Sequence, residues 1–409
     1  MISASLRKSF FVFSIVTLFF NTVYYATSQT INSDFETWRN QFYQKASAHG
    51  ISDKTFNLAL GQIKPDPSIL EQDTNQPEFV KTFNNYLDQM VTHNRITQGL
   101  HYKNQYSALL NKISEVYQVP SQYLIALWGL ESNFGSNTGK LSIVRSLATL
   151  AYSSTRKDFF ENQLLDALTL IEQNIIPLNK MYGSWAGALG QVQFMPHDYL
   201  TLAVDFDGDG KRDLFTSVAD ALASAANYLK NAGWNNSFPW GVQITVPNNF
   251  PWHLAEPSKT MPLSFWLSQG IKFMDPKHTV PDPTTPVSIA LPMGHKGPIF
   301  LLYPNYQILL KWNRSINYAL AAGILSDYIA GKQGIINTNV DDQPMTTAEI
   351  IEIQNLFNTM GYNLGTPDGR VGPATRDAIR NFQYNKQIPA DGYPTPSLLE
   401  LMRKETRKL

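Results

Sequence analysis

A run of apolar residues, Leu124-Ile-Ala-Leu-Trp-Gly-Leu130, ends in a single acid, Glu131. A helix that is apolar on every side must be enclosed by other elements, so this run demands a multi-helix core around it. A carboxyl at the end of such a helix sits where the charged form is disfavoured, and its pKa rises. A carboxylic acid that keeps its proton near neutral pH can pass it to a leaving oxygen. The competing reading is an ordinary helix-end Glu capped by Ser132 and solvent, since perturbed carboxylates are often structural.

The length of 409 residues fits about two or three domains. Charged residues are scarce at 16%, while aromatics reach 12%, with 8 Trp and 19 Tyr. Lys and Arg balance Asp and Glu, so no global field attracts nucleic acid or anionic lipid. A neutral, aromatic-rich chain suits an uncharged polar ligand such as a sugar, although most of the aromatics belong in the core. Residues 1–28 read as a signal peptide: Arg7 and Lys8 precede the apolar stretch Phe10–Phe20, and Ala26-Thr-Ser28 offers a small-x-small cleavage site. A retained anchor is the alternative. The chain has no cysteine, which excludes disulfides and a lipid-bearing cysteine. The expectation is a secreted, periplasmic protein with no stable membrane span once the signal is removed, and not a lipoprotein.

Residues 30–235 read as mostly helical. Phe35, Trp38 and Phe42, then Phe56 and Leu60, then Phe79, Phe83, Tyr86 and Leu87 recur at helical spacing. Leu164 to Ile171 does the same, with Pro177 as the stop. Asp158, Glu161 and Asp166 in that segment read as solvated helix surface. Residues 236–300 are rich in proline, with β-branched runs such as Val242–Val246 and Val287–Leu291, and read as a β-rich subdomain. Helix returns at Ser315–Ile329, and the polar segment 331–345 is the linker. In 346–409, Thr346-Thr-Ala-Glu349 is a capping box. Ile350, Ile353, Phe357 and Met360 share one face, Gly361 stops that helix, and Pro373 opens the next, with Ala378, Ile379 and Phe382 inward.

Three further segments carry chemistry. In Gly183-Ser-Trp-Ala-Gly-Ala-Leu-Gly-Gln-Val-Gln-Phe-Met-Pro196 the glycines allow backbone to approach a ligand closely. Ser184 can bond the acid or a substrate there, and the Gln193 amide suits a sugar hydroxyl or acetamido group. A tight turn under the core is the alternative. In Asp205-Phe-Asp-Gly-Asp-Gly-Lys-Arg-Asp213 the acids stand at positions 1, 3, 5 and 9 with glycine at 6, as at the start of an EF-hand loop. Position 12 is Thr216, and Asp220 is the candidate for the missing ligand. Oxygen donors alone suit calcium or magnesium; a metal-free acidic turn is the alternative. In Lys311-Trp-Asn-Arg-Ser-Ile-Asn-Tyr318, Asn313 and Tyr318 are candidate substrate-side groups, unless Asn313 only caps the helix.

Together these segments resemble the lytic murein transglycosylase B family, soluble and membrane-bound, over about residues 35–330, which implies a catalytic domain over 30–330. The matching motifs are Trp-Gly-Leu-Glu-Ser-Asn-Phe-Gly, Gly-Ala-Leu-Gly-Gln-Val-Gln-Phe-Met-Pro, the Asp-rich loop and Asn-Arg-Ser-x-x-Tyr. Some family members carry Tyr where this chain has Trp312, and in some the loop is one residue shorter before its last acid. The resemblance implies a mainly α (α+β) protein: a lysozyme-like helical catalytic core, an added helical lobe and a small β-rich lobe. Residues 346–409 separately resemble the three-helix peptidoglycan-binding domain, through Asn355-Leu-Phe-Asn, Thr366–Thr375, Ala378–Gln383 and Pro389–Gly392.

The resemblance implies cleavage of the β-1,4 bond between N-acetylmuramic acid and N-acetylglucosamine, leaving 1,6-anhydromuramoyl ends, with Glu131 as acid and then base. It implies Ser184, Gln193, Tyr228, Asn313 and Tyr318 as substrate-binding. Asp205, Asp207, Asp209, Lys211 (through its carbonyl), Asp213 and Asp220 form the candidate metal set. The chemistry needs no cofactor, and calcium would be structural. The partners implied are peptidoglycan glycan strands, with other cell-wall enzymes as candidate protein partners. A hydrolytic muramidase and an inactive wall-binding scaffold are the alternatives. The former needs a second carboxylate, and none stands out.

Overall fold

The computed structural model of the protein describes residues 34–74, 82–336 and 344–407. The signal segment 1–28, Phe79 and residues 337–343 of the linker lie outside these. Among the described residues the architecture is mainly helical, with a two-stranded antiparallel ribbon and a five-stranded antiparallel sheet. It divides into two discontinuous units: residues up to Thr74 with Thr138–Leu189 and Gln193–Thr201, and Asn75–Asn137 with Gly190–Val192 and everything from Leu202 onward.

In the first unit, the helix over 34–48 buries Phe35, Trp38, Phe42 and Ala46, one face at three- and four-residue spacing. The adjoining helices are Asp53–Leu60, capped by Ser52, then Ile143–Ser153 and Lys157–Glu172. A two-stranded ribbon completes the unit, β1 (Leu141–Ser142) antiparallel to β2 (Tyr182–Gly183). Glu161 corrects the sequence reading, because it is only 4% exposed. Its Oε1 accepts the Trp38 indole N–H at 2.9 Å, and Lys45 pairs with its other oxygen. Spacing within one helix cannot show that another helix brings an indole to the same face. Asp166 pairs with His197 at 3.1 Å, while Asp158 is exposed as expected. The helix ends at Glu172 with Asn174 left-handed (φ 55), before Pro177 is reached.

In the second unit, the apolar run forms the helix Ser121–Ser132, with Tyr123 through Leu130 buried. The helices His93–Gln105, Ser107–Tyr117, Val218–Ala232 and Ile316–Ile329 lie against it. The last of these is also apolar all round, buried at Tyr318 through Ser326 and at Ile329. Gly323 lets it approach the β-rich lobe: a Cβ there would fall 2.2 Å from the Trp240 ring. The Trp240 indole donates to Asp327 Oδ2 at 2.9 Å, one turn further on.

Prolines punctuate the lobe into short strands. β3 (Gly241–Thr245), β4 (Met261–Pro262), β5 (Lys272–Phe273), β6 (Pro286–Ala290) and β7 (Ile299–Leu302) form one sheet in the order β4-β6-β7-β3-β5. Val242 faces Leu301 and Ile289 faces Leu301 across antiparallel ladders. Leu263, Trp266, Ile244, Val287 and Leu301 fill the core beneath.

The C-terminal helices Thr347–Thr359, Pro373–Asn385 and Pro396–Thr406 enclose Ile353, Phe357, Ile379, Phe382 and Met402. The Thr346/Glu349 capping box forms, and Gly361 follows with φ +90°. This module is docked on the β-rich lobe. Asp391 Oδ2 accepts the His295 backbone N–H at 2.8 Å and meets its Nδ1 at 2.6 Å. Arg380 reaches Glu256 at 3.3 Å. Burial works to raise the Asp391 carboxyl, but the donors of His295, Tyr393 and Gln383 outweigh it and hold it below the usual carboxylate range. The start of the linker is also pinned: the Gln243 side-chain amide bonds both the N–H and the C=O of Ile336.

Gly323→Ala should destabilise the protein by about 1–3 kcal/mol, because the added methyl overpacks a full interior. Denaturant unfolding monitored by tryptophan fluorescence checks this.

Candidate active site

Glu131 occupies the penultimate position of the Ser121–Ser132 helix. The helix ends there because Asn133, Phe134 and Gly135 are all left-handed, with φ of 49°, 59° and 80°. Phe134 N–H turns back to Trp128 O at 3.1 Å, and Asn133 N–H to Gly129 O at 3.1 Å. Two successive non-glycine residues at positive φ are strained, and a structure keeps such strain only where its surroundings over-determine it. Ser132 and Gln191 do so here. The Ser132 hydroxyl donates to Gln191 O and accepts the Gly135 N–H at 2.9 Å. Gln191 Oε1 accepts the Trp128 indole N–H at 2.9 Å, and its Nε2 donates to Phe215 O at 3.2 Å. A side chain on Gly135 would strike Gln191 Oε1 at 2.5 Å.

The Glu131 carboxyl is half-buried. Its Oε1 accepts the Trp312 indole N–H at 2.7 Å and the Tyr318 hydroxyl. Burial, reinforced by the Glu131 charge, pushes the Tyr318 phenol well above its ordinary pKa, so it stays a donor. Tyr318 sits in the first turn of the Ile316–Ile329 helix, capped by Ser315, whose hydroxyl accepts Tyr318 N–H at 3.2 Å. Asn313 is not that cap; its Oδ1 accepts Ser315 N–H at 3.0 Å and shapes the turn before it. Tyr228 donates its hydroxyl to Lys311 O at 3.0 Å, and its ring stands edge-on to Trp312 with centroids 4.9 Å apart. Glu131, Tyr318, Trp312 and Tyr228 are thus joined in one set of contacts.

Within the glycine-rich segment, two of the glycines make close approaches to the protein's own chain, as in a tight turn under the core. Gly187 faces Leu147, where a Cβ would lie 2.3 Å from a methyl, and Gly190 faces the Leu214 carbonyl at 2.6 Å. These glycines serve close chain packing. In the first unit, Ser184 Oγ accepts Ala188 N–H at 3.0 Å, closing a turn. Gln193, at φ 50°, donates its amide to Thr138 O at 3.1 Å.

The acidic loop gathers Asp205, Asp207 and Asp209, whose carboxylate oxygens lie within 4.8 Å of one another and are exposed. Asp205 holds Gly208 and Gly210 N–H at 2.8 Å each, and Asp209 holds Lys211 N–H at 2.8 Å. Asp213 is bonded to its own turn, accepting Phe215 N–H at 2.8 Å. Asp220 is fully buried and accepts the backbone N–H of Phe206 and Asp213 at 2.8 Å each. Burial raises its carboxyl above the ordinary value despite those bonds. Three converging exposed carboxylates fit a hard cation; Asp220 organises the loop backbone around them.

Residues 34–327 match the family model described as the transglycosylase SLT domain. The chain belongs to the SLT transglycosylase family. Residues 346–402 of this transglycosylase match the model of a putative peptidoglycan binding domain. A crystal structure of SltB3 from Pseudomonas aeruginosa in complex with NAG-anhNAM-pentapeptide is 42% identical and covers 90% of this chain and 99% of that one, with a TM-score of 0.83. Membrane-bound lytic murein transglycosylase B of Escherichia coli (strain K12) is 29% identical over 71% of this chain and 82% of its own length. The Escherichia coli lytic transglycosylase Slt35 in complex with calcium is 28% identical, covers 71% of this chain and 92% of that one, and has a TM-score of 0.62.

Sequence reasoning about the transglycosylase missed two residues. Gln191 and Gln193 stand two apart in one loop, and a loop sequence carries no mark of which amide points inward. Trp312 stood out only as a departure from Tyr; both residues can donate a hydrogen bond, which was the available signal. Gln191→Met should keep the volume yet strand the Trp128 N–H, costing about 1–3 kcal/mol of stability. Thermal or urea unfolding, read together with turnover, checks this.

Proposed function

We propose that this peptidoglycan lytic transglycosylase cleaves between N-acetylmuramic acid and N-acetylglucosamine with Glu131 as its acid and base. The observation that carries the reading is the Glu131 carboxyl held on Oε1 by both Trp312 and Tyr318. With Oε1 accepting both donors, the transferable proton resides on Oε2. Protonation of the glycosidic oxygen breaks its bond to the muramoyl C1 and leaves an oxocarbenium-like centre, which the substrate acetamido group can stabilise. The Glu131 carboxylate then removes the proton of the C6 hydroxyl as that oxygen attacks C1. The proton returns to Glu131, a 1,6-anhydro ring forms, and no water is consumed. One carboxylate therefore suffices, unlike the pair used in hydrolysis.

Ser184, Gln193 and Asn313 are assigned to the glycan on family motif alone. Tyr318 acts through Glu131. The C-terminal module supplies a second hold on the polymer. The substrate lies outside the inner membrane, so the working location is the periplasm. Among the described residues no helix is long and apolar enough to cross a membrane. The Asp205/Asp207/Asp209 carboxylates would hold a structural cation such as calcium, which would neutralise their mutual repulsion.

Glu131→Gln should lower turnover of purified sacculi by about 10² to 10⁴ or more while binding persists. Mass spectrometry of wild-type digests should find anhydro ends; reducing ends instead would assign the enzyme to hydrolysis.

Calcium should raise the melting temperature without being needed for turnover. With no Glu at position 12, affinity should be near the extracellular class of about 10⁻⁴ to 10⁻³ M. Stabilisation would reach about 2.7 kcal/mol at 100 times the dissociation constant. Melting curves in chelator and in millimolar calcium test this, and superimposable curves would remove the cation from the account.

A further inference from the structure

The two donors on Glu131 are anchored in different ways. Tyr318 belongs to a helix buried along its length. Trp312 is the last residue of the Pro304–Trp312 helix and half exposed, a place where helices fray. Its placement depends on the Val218–Ala232 helix. Tyr228 of that helix sets its ring edge-on to the indole, at an interplanar angle of 70°. The Tyr228 hydroxyl bonds Lys311 O at 3.0 Å, and Lys311 Nζ bonds Ala232 O at 2.9 Å in return. The helix end is thereby tied down by two bonds at Lys311, the residue before the indole.

An indole N–H can only donate. It gives more to an ionised carboxylate than to a neutral acid, because charge-assisted bonds are the stronger ones. We propose that Trp312 is a positioning residue for Glu131, clamped by Tyr228: its N–H pins Oε1, directs the transferable proton to Oε2, and favours the carboxylate that must recover a proton from the C6 hydroxyl. This rests on the acid-and-base reading of Glu131.

Trp312→Phe keeps an aromatic ring and deletes the donor. It should lower kcat by about 10- to 100-fold, the scale of a misplaced reacting group, with little change in KM. The pH profile separates positioning from packing. Glu131 must begin protonated, so the alkaline limb reports its ionisation. Loss of a donor to the ionised form raises that pKa and should move the limb up by about one unit. Trp312→Tyr, with a phenolic donor, should restore the limb and most of the rate. A Phe variant whose limb stays in place would overturn the proposal whatever its rate, as would a Tyr variant no better than Phe at equal melting temperature. Wild-type protein offers a measurement free of folding effects. One Trp indole N–H signal in NMR should titrate with Glu131 and cease to do so in Glu131→Gln. If none does, the bond is not made in solution and the proposal fails. Full activity of Glu131→Gln would instead sink the acid-and-base reading itself.

Discussion

Taking the Ser121–Ser132 helix out of water obliges four other helices to lie against it. Its sides offer no polar face that solvent could satisfy. The first consequence is that the polar groups at its C-terminal end must find partners inside the protein. Trp128 finds the Gln191 side chain and Ser132 finds the Gln191 backbone. The left-handed turn at Asn133–Gly135 then follows as the exit route that keeps those bonds. The carboxyl of Glu131 inherits a fixed direction from this arrangement without having to supply it.

The second consequence concerns charge. Burial alone would favour a protonated Glu131, as the sequence suggests. The structure adds two donors to a single oxygen, and donors favour the ionised form. In the proposed acid-and-base role of Glu131, a group that gives a proton and then takes one back would benefit from opposed influences of this kind.

Much of this was readable in one dimension, and what was not shares a common cause. The Thr346 capping box, the strands around Val242 and Val287, and the enclosed helix ending in Glu131 are local patterns of period, cap and breaker. The burial of Glu161 depends on Trp38, more than a hundred positions away. Trp312 and Tyr318 reach Glu131 across nearly two hundred residues. The Asp391 contact with His295 likewise spans 96 positions. Such pairings are set by how helices cross, which periodicity does not encode. The glycines of the Gly183–Pro196 segment were legible as turns, but whether they faced a ligand or Leu147 was not.

The seat of the C-terminal module bears on how such proteins can be rearranged. Its contacts use a buried carboxylate, Asp391, satisfied by a histidine of the host lobe, and a buried guanidinium, Arg380, met by Glu256. A module with those residues grafted onto a lobe lacking His295 and Glu256 would keep Gln383 and Tyr393 on Asp391 and Asp377 on Arg380, but it would lose the partners the host supplies, and its seat would weaken. Recombination at the 331–345 boundary would preserve each half's chain while losing the seat between them. Interchangeable parts of this kind therefore travel as matched pairs, and a chimera made by cutting at the linker should also transplant the host's two receiving side chains.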